Sequence, residues 1–163
     1  MSSTIASRHV PVILSLIVAI MLSMMPLPDS IVAFRPDWVA LMIILWALAV
    51  PRAYGVGTAW IVGLFLDVAQ GTLLGQHALA LVVVAYITIK FNLLMRVFPL
   101  LQLTATVFAL NAVYQFLLFW INGVAGVTAP ASVYWGPVLA SSLAWPVLYT
   151  LMTGPRYRVE SRH

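Results

Sequence analysis

The sequence predicts an all-α integral membrane protein, folded as a bundle of six transmembrane helices. Three observations carry that expectation. Only 7% of the 163 residues are charged and 63% are hydrophobic, and the mean hydropathy is +1.05, whereas a soluble domain carries roughly 25% charge. So few charges cannot clothe a water-facing surface, and the chain must be solvated by lipid. The apolar residues fall into stretches separated by Pro, Gly, Asn and charged residues, which punctuate helices. Finally, the basic residues collect on alternate connections, as they do in proteins oriented by the positive-inside rule.

The spans follow from these signals, since a helix crosses the ~30 Å hydrocarbon core with about 20 residues. They are placed at 9–25, 36–50, 53–70, 76–95, 99–121 and 132–152. The first follows Arg8 and resembles a signal peptide. No small-x-small cleavage site follows it, and it reads as a retained helix. Pro36 suits the first turn of span two, where its missing N–H is not needed, and Pro51 ends that span with Arg52 in the turn. Gly71 ends span three and Gly75 precedes span four, as glycines do at helix ends. Residues 122–126, NGVAG, break the chain before span six. Trp38, Trp120 and Trp135 read as interfacial anchors. Trp46, Trp60 and Trp145 lie deeper and read as packing residues, with Pro146 a kink beside the last.

With both termini inside, the inner connections hold Arg8, Arg52, Lys90, Arg96, Arg156, Arg158 and Arg162, and the outer ones only Arg35. Seven basic residues against one favour an even number of crossings. Spans two and three are short. A re-entrant pair formed by them leaves four crossings and keeps the same parity. The chain is long enough for one transmembrane domain, with a short basic cytoplasmic tail at 153–163 suited to anionic lipid.

Composition also narrows the chemistry. There are no cysteines, hence no disulfides and no thiolate metal sites. His9, His77 and His163 all fall near span ends, and none is spaced with a carboxylate as a metal ligand pair. No phosphate-binding glycine loop or Walker lysine occurs, and no general base and nucleophile are juxtaposed. No catalytic residue, cofactor or metal is expected, and the function is read as non-enzymatic. The net charge of +4 belongs to the inner loops rather than to a nucleic-acid surface.

Two polar features need explaining. Asp67 ends the run in span three and follows Gly55, Ala59 and Gly63 at steps of four, with Gly71 next. Neighbours four apart share a helix face, and small residues at this spacing admit another helix. Asp67 is therefore expected to point toward protein. It reads first as a partnered structural acid ordering the turn, and second as an ion or substrate site. In span five, Thr104, Asn111, Gln115 and Asn122 fall at intervals of seven, four and seven on one face. They read first as interhelical hydrogen-bonding residues, and second as the wall of a pocket with Asp67.

Two motifs, FRPDW at 34–38 and GLFLDVAQGTLLG at 63–75, carry a family resemblance. With the length, the span layout and the basic tail, the chain resembles MreD, the bacterial rod-shape-determining membrane protein family. The family's pattern in the second motif is Gly, Asp, Ser-Gly and Leu-Gly. Here Gln70 replaces the serine, which leaves the acid and the glycines. The resemblance implies a structural family motif at Arg35, Pro36, Asp37, Gly71 and Gly75. It implies a scaffold of the cell-wall elongation complex in the inner membrane, with N- and C-termini cytoplasmic. Its implied partners are MreC, a periplasmic protein on a single membrane helix, and through it MreB filaments, the RodA glycosyltransferase and its penicillin-binding transpeptidase. It also implies a fold similar to the six-helix substrate-binding components of vitamin-uptake transporters of the ECF type. On this reading Gly55, Ala59 and Gly63 form a groove for the MreC helix or pack against another helix of the same chain. The alternative function is a transporter component that binds a small molecule in an outward pocket lined by Asp67, Asn111 and Gln115.

Overall fold

In an apolar solvent every backbone N–H and C=O must be bonded within its own segment, so long apolar runs fold as helices. The computed structural model describes residues 2–154, with side chains from His9 onward. Among the described residues the secondary structure is all helical: α1 (Ser2–Met24), α2 (Asp29–Val32), α3 (Trp38–Ala49), α4 (Val56–Gln70), α5 (Gln76–Lys90), α6 (Asn92–Met95), α7 (Leu100–Val124) and α8 (Ser132–Thr153). The basic tail from residue 155 lies outside them. α7, with 25 residues, is the one helix among the described residues both long and apolar enough to cross a membrane by length and composition.

The shortest of the long helices sits at the centre. α3 has 12 residues, about 18 Å at 1.5 Å per residue. Its residues Val39 through Leu45, with Ala47 and Leu48, are all buried, so it is apolar on every side as an interior helix is. α1, α5, α7 and α8 pack around it. Large apolar side chains also cover the outside of the bundle: Leu93, Val97, Leu101 and Leu143 are each at least 80% exposed. Trp145 is fully buried, whereas Trp60 is 43% exposed and fills no interior space.

Several boundaries differ from those the sequence suggests, for identifiable reasons. Pro36 lies ahead of α3 rather than in its first turn. The Trp38 N–H donates to the Pro36 carbonyl at 2.9 Å in a tight turn, and Asp37 takes the N-cap position. The fourth apolar run is broken at Phe91 into α5 and α6. Asn92 there donates from Nδ2 to the Ala47 and Leu48 carbonyls at 3.2 and 2.7 Å. Arg96 adds bonds from Nε and Nη2 to Leu48 at 3.2 and 2.8 Å, and from Nη2 to Ala49 at 3.0 Å. The last carbonyls of α3 have no partners within their own helix, and a cation at that end also complements the helix dipole. The break in one apolar run thus closes the end of another.

This arrangement gives the bundle two chemically distinct ends. One gathers the C-termini of α1 and α4 with the N-termini of α3, α5 and α8, and carries Asp29, Arg35, Asp37 and Asp67. The other gathers the N-termini of α4 and α7 with the C-termini of α3, α5 and α8, and carries Arg52, Lys90 and Arg96. At this basic end His9 is hydrogen-bonded to the Tyr54 hydroxyl, and Trp46 Nε1 donates to Ser15 Oγ at 2.9 Å nearby.

Candidate functional site

Asp67 is completely buried, and its two oxygens are fully engaged at the corner between α4 and α5. Oδ1 accepts from the His77 N–H at 2.9 Å, from His77 Nδ1 at 2.8 Å and from Thr72 Oγ1 at 3.0 Å. Oδ2 accepts from the Gly75 N–H at 2.8 Å and, more weakly, from the Ala78 N–H at 3.4 Å. The carboxylate therefore caps the N-terminus of α5, where orphan donors and the positive end of the helix dipole both favour an anion. Its own backbone carbonyl ends α4: Thr72 N–H donates to Asp67 O at 3.1 Å and Gly71 N–H to Val68 O at 3.3 Å, the Schellman pattern. One residue thus closes one helix and opens the next. The turn needs φ of 65° at Gly71 and 97° at Gly75, left-handed values that glycine adopts without a Cβ penalty.

The step-of-four row behind Asp67 is taken up within the chain. A Cβ on Gly63 would lie 2.2 Å from Ala78 Cα and 2.6 Å from its nitrogen, so α5 crosses α4 with backbone nearly touching backbone. Ala59 is fully buried, and a Cβ on Gly55 would stand 3.4 Å from Ile89 Cδ1. Of the two roles weighed for this row, packing against another helix of the same chain is the one seen at Gly63. A second close approach, unmarked by any periodic row, lies at Gly136 in α8, where a Cβ would meet the Ala33 carbonyl oxygen at 2.0 Å.

The stripe on α7 disperses to several tasks. Thr104 Oγ1 donates to the Leu100 carbonyl at 2.8 Å, within its own helix. Asn111 Nδ2 does the same to Val107 at 2.9 Å, and Asn111 Oδ1 is buried without a partner. Asn122 Nδ2 reaches the Tyr134 hydroxyl of α8 at 3.0 Å. Gln115 reaches furthest: its Nε2 donates to Asp37 Oδ2 at 2.7 Å. The Asp37 N–H in turn donates to Ser141 Oγ of α8 at 2.8 Å. Asp37 therefore ties α3 to both α7 and α8. Nothing in the sequence points to Ser141 as this partner, because no spacing links positions 104 residues apart.

These contacts surround a cavity of about 260 Å³ at the acidic end, lined by Arg35, Asp37, Gln70, His77, Tyr114 and Gln115 among others. It brings Gln115 together with Asp37 and Arg35. Asn111 is not part of the lining, and Asp67 stands behind it, reaching it only through His77. Arg35 turns its guanidinium to the end of α1, donating to the Ser23 and Met25 carbonyls, which closes that helix as Arg96 closes α3. Among the described residues no three His, Asp or Glu side chains come within reach of a common metal ion.

Comparison with known proteins matches the chain to one family. The family model for rod shape-determining protein MreD matches residues 5–154. The chain is also 29% identical over 147 residues to the rod shape-determining protein MreD of Haemophilus influenzae, covering 88% of this chain and 89% of that protein. No solved structure matches. The match takes in both FRPDW and the Asp67 corner and runs almost the length of the described helices, so the chain belongs to the MreD family of rod shape-determining membrane proteins.

Proposed function

We propose that this protein is a non-enzymatic scaffold that binds MreC within the membrane and helps couple MreB filaments to RodA and its penicillin-binding transpeptidase. The observation that carries the reading is the use made of the polar residues. Asp67, Asn92, Arg96, Arg35 and Asn122 each serve to join or close helices. Asp67, the acid best placed by sequence to act chemically, has both oxygens occupied by donors of its own corner. What remains for partners is an outer surface rich in large apolar side chains, suited to lipid and to another membrane helix.

In this reading the six longer helices all cross the inner membrane, both termini are cytoplasmic, and the basic end with Arg52, Lys90 and Arg96 faces the cytoplasm, as the positive-inside rule requires. The acidic end then faces the periplasm, on the side of the MreC ectodomain. A second reading, a small-molecule-binding transporter component, is favoured by the 260 Å³ cavity alone. Affinity purification of the tagged protein from mild detergent separates the two. The scaffold predicts recovery of MreC and wall-synthesis proteins. Recovery of an ATPase and its coupling subunit in their place would overturn it.

A further inference from the structure

The cavity at the acidic end has a lining more specific than its role in packing demands. Tyr114 is 2% exposed, and its hydroxyl makes no hydrogen bond among the described residues, although it is not sealed away from space as Asn111 Oδ1 is. Asp37 Oδ2 is bonded to Gln115, while Oδ1 has no protein partner among the described residues. Gln115 uses its Nε2 on Asp37 and leaves its Oε1 open. His77 Nδ1 lies 2.8 Å from Asp67 Oδ1, and because a carboxylate only accepts, the ring hydrogen sits on Nδ1. In the neutral ring Nε2 is then an acceptor. Around one cavity stand an unpaired carboxylate oxygen, an amide oxygen, an imidazole nitrogen and a phenol. This set accepts hydrogen bonds in several directions, and its carboxyl group can ionise beside a bound cation.

A primary ammonium, with three donors and a positive charge, matches that set. A simple cation is disfavoured by Arg35, which lines the same cavity. Its guanidinium reaches the exposed rim, where it bonds the Met25 carbonyl, and only part of its donor capacity is used there. We propose that the cavity binds a zwitterionic group, its ammonium held by Asp37, Tyr114 and Gln115 and its anionic oxygen by Arg35. Phosphoethanolamine has this chemistry, either as the headgroup of an aminophospholipid or as a free small molecule. The site rests on the cavity alone and is independent of MreC binding.

The test uses the full chain purified in mild detergent. Native mass spectrometry after exposure to equimolar phosphatidylethanolamine and phosphatidylglycerol measures which lipid is retained. Thermal unfolding with and without O-phosphoethanolamine tests the soluble source. At least a fivefold preference for phosphatidylethanolamine is expected in the wild type if a lipid supplies the headgroup, and a raised unfolding midpoint with O-phosphoethanolamine if the free molecule does. Either signal is expected to vanish in Asp37→Asn and to fall severalfold in Tyr114→Phe, which removes one unpartnered hydroxyl and leaves the packing intact. Equal retention of the two lipids together with an unchanged midpoint would overturn the proposal, as would a signal that Tyr114→Phe leaves at the wild-type level. Capture of MreC by Tyr114→Phe stays at the wild-type level in every case, so failure here is distinct from failure of the scaffold reading.

Discussion

Replacing Asp67 by alanine removes the cap of α5 and leaves its donors without partners. Two backbone N–H groups, of Gly75 and His77, lose good bonds of 2.8 and 2.9 Å, and His77 Nδ1 loses one of 2.8 Å. A buried donor left unsatisfied costs about 1–3 kcal/mol, while loss of an ordinary helix cap costs roughly 1 kcal/mol. Asp67 has no solvent exposure, so bulk water does not replace the carboxylate. These losses are coupled rather than additive, and about 3 kcal/mol is a conservative total on the same scale. For a domain of this size each kcal/mol moves the unfolding midpoint by about 2–4 °C, which predicts a fall of roughly 6–12 °C for Asp67→Ala on that scale. Asp67→Asn keeps one acceptor and the shape, and falls in between. Thr72→Val loses only one of the five donors and shifts the midpoint least. The assay is fluorescence-detected size-exclusion chromatography of detergent extracts after a temperature series. A wild-type midpoint and wild-type abundance for Asp67→Ala would refute the reasoning, because they would mean the carboxylate does not hold the corner together.

Other substitutions test other joints of the bundle. Gly63→Val forces α4 and α5 apart at a contact where even a Cβ lies 2.2 Å from backbone, and overpacking of this kind costs about 1–3 kcal/mol. Reduced abundance and a lowered midpoint are expected in the same assay. Arg96→Ala leaves the Leu48 and Ala49 carbonyls short of donors and lowers the midpoint, while Arg96→Lys restores part of it through a single charge-assisted bond. Gly71→Ala places a Cβ at φ 65° and costs about 1 kcal/mol, read as a small midpoint shift without loss of folded protein.

Much of this organisation is legible in the sequence, and the part that is not has a physical reason. Hydrophobic composition identifies the solvent, and Gly71 and Gly75 mark the corner because a left-handed backbone leaves a residue-level trace. The step-of-four row shows that Asp67 faces protein, since the spacing of small residues encodes helix approach. Contacts between distant helices leave no such trace. Nothing in the spacing joins Asp37 to Gln115 and Ser141, or Arg96 to the end of α3. The pocket set from sequence, Asp67 with Asn111 and Gln115, assumed that polar residues inside a bundle converge. The structure instead turns Asn111 onto its own helix, which offers an amide the nearest carbonyl, and leaves Gln115 to reach Asp37. The break at Phe91 was hidden for a similar reason, since α5 and α6 form one apolar run and the demand for Asn92 and Arg96 comes from the carbonyls of α3.

The central claim is that the conspicuous acid of this chain holds a scaffold together rather than performing a reaction. Rod-shape rescue, measured as cell width in a strain depleted of its own MreD and plotted against the membrane abundance of each variant, tests it most directly. Wild type, Asp67→Asn, Asp67→Ala, Thr72→Val and Gly63→Val should fall on one curve, with shape lost only as abundance falls. An Asp67 variant present at wild-type abundance that fails to restore width would contradict the account and return Asp67 to a chemical role.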